Sequence, residues 1–276
     1  MFKGIDDLVY WIRERESIRV RKERGDPPPW TDDPILGKYR FCNVVRMDDR
    51  VSRWLLTNWY GPYRDHPNML AAVALARFMN RESTLSPLRR FVFRKGLPDW
   101  KTIRSTMEAM PKPIFGSAYM IYGDSGCPKI ESVVERRIRP MIAGATVDTS
   151  SMQATHESIS AHHGCKSFMA GQMVADLRWG LSGTWADRND WAPLGPGSRR
   201  GMNRILGRST DSPLSQEEFV DLLNRLRSEA NGRVGSVADR MEAIDWQNCL
   251  CETDKYLRTL LGEGRPKQGY QPCSST

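Results

Sequence analysis

The residues with the greatest chemical potential lie in PPPWTDDPILGKYRFCNVVRMDD, Pro27 to Asp49. Three consecutive prolines set a non-helical path at little cost in backbone entropy. Beyond them, Trp30, Tyr39, Phe41 and Asn43 are types able to stack on a planar group and hydrogen-bond its edge. Arg40 and Arg46 are fixed cations suited to an anionic group, and Asp49 is a carboxylate able to take a proton from a nucleophile. Two readings fit: the wall of an active site, or a structural loop whose Trp30 and Phe41 plug a core gap.

A second group is CETDKY, Cys251 to Tyr256. On a helix Glu252 and Lys255 pair at i,i+3, and Cys251 shares a face with Lys255 at i,i+4. The bland reading is a surface ion pair beside a core cysteine. The functional one sets an acid (Glu252 or Asp254) and Lys255 beside a substrate. A third group, SFMAGQMVADL, aligns Phe168, Gln172 and Asp176 at i,i+4 as one stripe of an aromatic, an amide and an acid. Such a stripe is a buried network or a pocket lining, and pocket lining is preferred.

The fourth group is WAPLGPGSRRGMNRILG. Glycines at 195 and 197 permit close backbone approach to a phosphate. Ser198, Arg199 and Arg200 then open a basic helix whose free N–H groups favour an anion. The alternative is an ordinary Pro/Gly turn. The stretch resembles the hairpin of helix-hairpin-helix DNA-binding proteins, including DNA glycosylases. No lysine fills the nucleophile's place beyond it. Arg199 and Arg200 stand there, with Asp211, Glu217, Glu218 and Asp221 downstream, so a glycosylase-like scaffold fits better than glycosylase chemistry.

The elements that must position these groups read as helices almost throughout. Ile5, Leu8, Val9 and Ile12 open an apolar face of a helix running to Gly25, and RERESIRVRKER reads as its solvated side, with Glu16–Arg19 and Arg19–Glu23 pairs. Further helices are expected at HPNMLAAVALARFMN, SPLRRFVFRKG, DWKTIRSTMEAM, KIESVVERRIRPMI, SSMQATHESISAHHG and KSFMAGQMVADLRWG. Ser215 and Glu218 form a capping box before FVDLLNRLRSEANG, and a last helix is expected over VADRMEAIDWQNCLCETDKYLRTLLG. Only IFGSAYMIYG reads as extended. The expected architecture is all-α with around ten helices. Residues 1–264 form one catalytic domain, admitting two helical lobes, and 265–276 a polar tail.

The bulk numbers narrow the classes. Hydrophobic content of 39% and charged content of 27% are those of a globular chain. No apolar run approaches the roughly 18 residues of a membrane span, so the chain reads as a soluble, cytoplasmic protein. Six cysteines without a CxxC pair and four histidines without HExxH specify no zinc site. The net charge of +8 favours nucleic acid or phosphorylated substrates.

The segment ERESIRVRKERGDPPPWTDDPILGKYRFCNVVRMDDRVSRWL resembles the N-terminal signature of the α-glutamyl/putrescinyl thymine pyrophosphorylases, the bacteriophage amino acid:DNA transferases of thymine hypermodification. The likeness continues at HHGCKSFMAGQMVADL, LGPGSRRG and QNCLCETDKYLRTLLGEGRPK, so it covers most of the chain in order. A related helical domain accompanies the phage 5-hydroxymethyluracil DNA kinases, where it follows a phosphate-binding loop domain. No GxxxxGK[ST] occurs in these 276 residues, which speaks against kinase chemistry.

The resemblance implies a substrate: DNA bearing 5-pyrophosphoryloxymethyluracil, whose pyrophosphate is displaced by the amine of an amino acid or polyamine. Arg40, Arg46 or Lys255 would hold the pyrophosphate, Asp49, Asp176, Glu252 or Asp254 would take the amine's proton, and Trp30, Tyr39, Phe41 and Asn43 would stack on the extruded base and read its edges. A thiolate at Cys42 or Cys251 could instead add to the ring, but direct displacement is preferred. No cofactor is expected, and no acidic cluster calls for a divalent ion. The alternatives are a non-catalytic helix-hairpin-helix DNA-binding protein and a glycosylase acting on a modified base.

Overall fold

The computed structural model describes residues 2–117, 119–266 and 269. The fold is all-α, and no strand occurs among the described residues. The longer helices are α1 (Ile5–Arg24), α2 (Met69–Met79), α3 (Trp100–Ala109), α4 (Met152–Ser160), α5 (Ser167–Gly180), α6 (Pro196–Leu206), α7 (Gln216–Val234) and α8 (Ala243–Leu260). The chain divides into two compact units: unit 1 contains residues 1–49 and 189–276, and unit 2 residues 50–188.

In unit 1, α1 buries Ile5, Leu8, Val9 and Ile12, the face read from its periodicity, and with them Trp11, in a core with Phe219, Leu223 and Leu226 of α7 and Trp246 and Leu250 of α8. Burying a side chain of this size contributes about 1.5–3 kcal/mol. Gly25, in the left-handed conformation, ends α1 before the prolines. The expected pairs form: Arg19 bonds Glu16 at 2.5 Å and Glu23 at 2.5 Å.

Helices α6 and α8 pack with almost no space between them, because two glycines face α8. A Cβ at Gly197 would lie 2.2 Å from Cys251 Sγ, and one at Gly201 would lie 2.1 Å from the Leu250 carbonyl oxygen. The second clash is with backbone, which cannot swing aside. Gly201→Ala is therefore expected to cost about 2–3 kcal/mol in urea denaturation, the upper range for overpacking. A loss under about 0.5 kcal/mol, the size of an ordinary surface substitution, would show that the two helices slide apart freely.

Some boundaries differ from the sequence reading. The last helix begins at Ala243 rather than near Val237, since Glu242 and Asp245 form a capping box that starts a new helix after the short turn Ser236–Arg240. Ser215 caps α7 by accepting from the Glu218 N–H at 3.1 Å, but the Glu218 carboxylate accepts from Arg208 at 3.0 Å. No helix immediately precedes the Gly-Pro-Gly stretch. Residues 181–195 are non-helical, so the structure does not confirm the helix-hairpin-helix element. Most of the 265–276 tail lies outside the described residues.

Unit 2 is organised around α2, whose residues are buried on nearly every side, as expected of a helix apolar all round. Its alanines and Gly180 of α5 allow close packing, a Cβ at Gly180 falling 2.4 Å from Met69 Sδ. The expected helix over SPLRRFVFRKG forms as a 3-10 turn, Ser86–Leu88, running into a short α-helix, Arg89–Val92, and ends four residues before Gly96. Residues 129–144 are helical, with a π-helical stretch at Ser132–Ile138. The described part of IFGSAYMIYG, expected to be extended, is irregular, and Ala118 lies outside the described residues.

Candidate active site

Three separated pieces of unit 1 meet at one cluster: α1, the stretch after the prolines, and α8. Arg15 of α1 donates Nε–H to the Cys42 carbonyl at 3.0 Å and Nη2–H to Asn43 Oδ1 at 2.5 Å. Glu252 of α8 accepts the Cys42 N–H at 2.9 Å and pairs with Lys255 at 2.6 Å. Asp49 accepts the Asn43 N–H at 2.9 Å. Lys255 also donates to the Arg40 carbonyl at 3.2 Å and lies 4.5 Å from the centroid of the Phe41 ring. Asn43 is held from its other side, its Nδ2 donating to the Asp48 carbonyl at 2.8 Å. Asn43, Cys42, Asp49, Glu252 and Lys255 are thus brought together.

The electrostatics follow from this crowding. Burial raises the Asp49 carboxyl above the ordinary value, against the opposing pull of the Asn43 N–H and the Arg46 and Arg15 cations. Burial lowers Arg15, whose charge Asp49, Cys42 and Glu252 partly support. Its Nη1 is buried and makes no hydrogen bond among the described residues. A buried guanidinium donor left over in this way is suited to an anion. The thiols do not favour nucleophilic chemistry: burial, with Glu252 adding to it, raises Cys42 well above its usual value and Cys251 to about 11.

The neighbouring wall residues have mixed placements. Phe41 is buried against Trp11 and Tyr256, at centroid distances of 6.3 and 6.4 Å, so it packs the core rather than facing a pocket. Trp30 packs against the core and donates Nε1–H to the Asp26 carbonyl at 2.7 Å under the Lys22 ammonium, 4.6 Å from the ring. Tyr39 forms an isolated bridge with Gly269, and the Arg40 side chain is exposed. Arg46 is buried, its N–H donating at 2.8 Å to Asp245, the residue that caps α8. One carboxylate thereby ties the wall to the start of the helix carrying Glu252 and Lys255.

Asp33 is a second tie. It caps the turn Pro34–Lys38 through the Ile35 and Leu36 N–H groups and accepts the Tyr10 and Tyr256 hydroxyls at 2.8 and 2.7 Å. Burial alone would raise its carboxyl, but these donors hold it below the ordinary value. A depressed carboxylate gives stability that is present above its unfolded pKa of about 3.9 and lost as pH falls through the folded one. Asp33→Asn is expected to flatten that part of the acid limb of a stability–pH curve, and an unchanged limb would exclude the contribution.

The other predicted residues stand elsewhere. Asp254 is fully buried in an ion cluster, accepting from Arg200 at 2.9 Å and Arg204 at 3.0 Å, with Arg258 Nε 3.4 Å away. In the Gly-Pro-Gly stretch, Gly195 and Ser198 are buried, and Gly197 packs on Cys251. Ser198 Oγ accepts from the Gly195 N–H and from Gln247, and Arg199 is half-buried. Gly197, Ser198 and Gln247 thus hold α6 on α8.

Asp176 and Gln172 belong to unit 2. Asp176 is fully buried, bound through both oxygens by Arg77 and accepting the Tyr60 hydroxyl at 2.6 Å. Tyr119 accepts from Arg77 at 3.3 Å and donates to Gln172 at 3.0 Å, and its ring meets Phe168 edge-on at 5.5 Å. The stripe is thus a buried network with an exposed aromatic end, not the pocket lining preferred from the sequence, because Arg77 and Tyr60 occupy the Asp176 carboxylate. Sequence reading missed Arg77, inside an apolar run, and Arg15, taken for part of a solvated face. Arg15 stands four residues after Trp11 and three after Ile12, on the buried side of α1, and that spacing was the available signal.

The fold and cluster define an all-helical protein with a half-buried acid, lysine and guanidinium grouping in one unit. The chain belongs to the family described as 5-hmdU DNA kinase, helical domain, which matches residues 3–265. It is similar to the 5-hmdU DNA kinase of Bacillus phage SP10, 23% identical over 227 residues, which is 71% of this chain and 36% of that protein. The chain thus spans little more than a third of the curated relative's length. No solved structure matches it. No described helix is long and apolar enough to cross a membrane.

Proposed function

We propose that the chain is a thymine-hypermodification transferase that replaces the pyrophosphate of 5-pyrophosphoryloxymethyluracil in phage DNA with an amine, in the host cytoplasm. The observation that carries this reading is the Arg15–Asn43–Asp49–Glu252–Lys255 cluster. It combines a half-buried acid of raised pKa with a guanidinium donor that has no hydrogen bond of its own. In the reaction the amine nitrogen forms a bond to the exocyclic carbon of the base. The carbon–oxygen bond to pyrophosphate breaks, and its electron pair leaves on pyrophosphate. Asp49 accepts the proton lost by the nitrogen, and a raised carboxylate pKa suits that exchange near neutral pH. Arg15 and Lys255 balance the charge that develops on the leaving group. Asn43, fixed from both sides, would read an edge of the flipped base.

Direct displacement fits better than covalent addition, since burial raises both the Cys42 and the Cys251 thiol. The kinase relative supports the DNA-base setting, and the family model that this chain matches is that of the helical domain. No GxxxxGK[ST] motif is present in these residues to bind a nucleotide for phosphoryl transfer.

The test mixes purified protein, DNA carrying 5-pyrophosphoryloxymethyluracil, and a pool of amino acids and polyamines, followed by digestion to nucleosides and mass spectrometry. One amine-linked thymidine is expected. Survival of the pyrophosphorylated base with DNA binding retained would leave a binding protein, and an abasic product would mean a glycosylase.

A further inference from the structure

The net charge of +8 is not shared between the units. Unit 2 holds 19 Lys and Arg against 11 Asp and Glu, whereas unit 1 holds 22 of each. The whole excess therefore belongs to unit 2, and attraction for a polyanion is to be sought there.

Its densest cationic run is residues 89–101, where Arg89, Arg90, Arg94, Lys95 and Lys101 are all exposed. The one carboxylate of the run is Asp99, 3.6 Å from Arg94. Arg90 and Lys95 form no ion pair among the described residues; Arg90 lies over the Phe91 ring, 4.6 Å from its centroid. At the tip, Leu97 is 80% exposed, more than any other large apolar side chain described.

A single exposed leucine needs no explanation, but this one sits on a turn tied by three hydrogen bonds. Gly96 turns the chain at φ +84°, a conformation that L side chains rarely adopt. Buried Asn68 donates to the Val92 carbonyl at 2.9 Å and the Gly96 carbonyl at 2.8 Å. The Asp99 N–H closes the turn on the Phe91 carbonyl at 3.1 Å. Beneath it, Phe93 stacks on Tyr63 with centroids 4.1 Å apart and meets Trp59 edge-on at 5.2 Å. The fold thus orders a turn whose tip is apolar and whose rim is cationic. An apolar protein pocket would match the tip but would leave the cations uncompensated. A DNA duplex matches both, with phosphates for the cations and a base step or sugar for the leucine.

We infer that the turn at residues 89–101 is a DNA docking surface, in which Arg90 and Lys95 contact backbone phosphates and Leu97 wedges against a base step. This rests on DNA being the partner, as proposed above. The test measures anisotropy of a labelled short duplex across a salt series. It compares the wild-type chain with Arg90→Glu/Lys95→Glu, the milder Arg90→Gln/Lys95→Gln, and a control, Arg13→Glu/Arg24→Glu, on exposed positions of α1. Circular dichroism and melting confirm that each variant is folded. The charge reversal is expected to weaken binding at least tenfold, and the neutral pair to flatten the slope of log K against log salt by about two, near 0.9 per phosphate contact. The control should match wild type. Leu97→Ala should keep the slope but reduce the brightening of a 2-aminopurine placed in the duplex.

If the wild-type chain binds no duplex even at low salt, the DNA reading fails and the docking surface with it. If wild type binds but the 90/95 variants bind equally well, or the control loses as much, the docking surface is overturned while the DNA reading stands. Unchanged 2-aminopurine brightening in Leu97→Ala would remove the wedge.

Discussion

Asp49→Asn is expected to lower transferase turnover by roughly a hundred- to ten-thousand-fold, the range for removing a general base, with DNA binding unchanged. The amide keeps an oxygen for the Asn43 N–H, which Asp49 accepts at 2.9 Å, but it cannot take a proton. Stability should move the other way. Burial raises the folded-state pKa of Asp49. A raised carboxylate contributes stability that is full below its unfolded pKa and is lost as pH rises through the folded one. The asparagine variant escapes that loss. It should therefore denature in urea at an equal or higher midpoint than wild type at pH 7, with the advantage vanishing near pH 4. A variant that loses turnover only because it unfolds at neutral pH would assign Asp49 a structural role. Glu252→Gln makes a useful companion, since Glu252 links Cys42 to Lys255.

Asp176→Ala is expected to destabilise unit 2 by about 3–5 kcal/mol, the cost of stranding a buried charge. Arg77 is 3% exposed and spends its Nε and Nη2 on this carboxylate, so the alanine variant leaves a guanidinium in the core without a counter-ion. Tyr60→Phe, which removes one hydrogen bond from the same carboxylate, should cost only about 1 kcal/mol. Thermal melting of the pair separates loss of an ion pair from loss of packing. Turnover per folded molecule should survive in both. A selective loss of turnover in Asp176→Ala at unchanged melting temperature would return this acid to the catalytic list.

Local signals in the sequence were reliable. The apolar face of α1, the Glu16–Arg19–Glu23 pairs, the Ser215 cap and the Phe168–Gln172–Asp176 stripe all follow from contacts three or four residues apart. Where the reading departed from the structure, a competing local rule had won. Glu242 and Asp245 restart a helix that periodicity alone would run through, and the helical run of SPLRRFVFRKG stops at Val92, where Phe93 leaves the helical backbone ahead of the left-handed Gly96. The Gly-Pro-Gly stretch shows the limit of motif reasoning. Its glycines do permit a close approach, but at Gly197 the neighbour is Cys251.

What the sequence by itself determined is the all-helical class, most of the helix faces and the inventory of acids, cations and aromatics from which a site could be built. Tertiary structure alone decided which of them meet. Cys42 and Glu252 are 210 positions apart and share a hydrogen bond, while Asp254, two residues from Glu252, points into a different ion cluster. Side-chain direction rotates by about 100° per residue along a helix, so neighbours in sequence face different surroundings. Which surroundings those are depends on how α1, α6 and α8 pack, and that is settled by glycine contacts and buried volumes across the whole unit rather than by spacing along the chain.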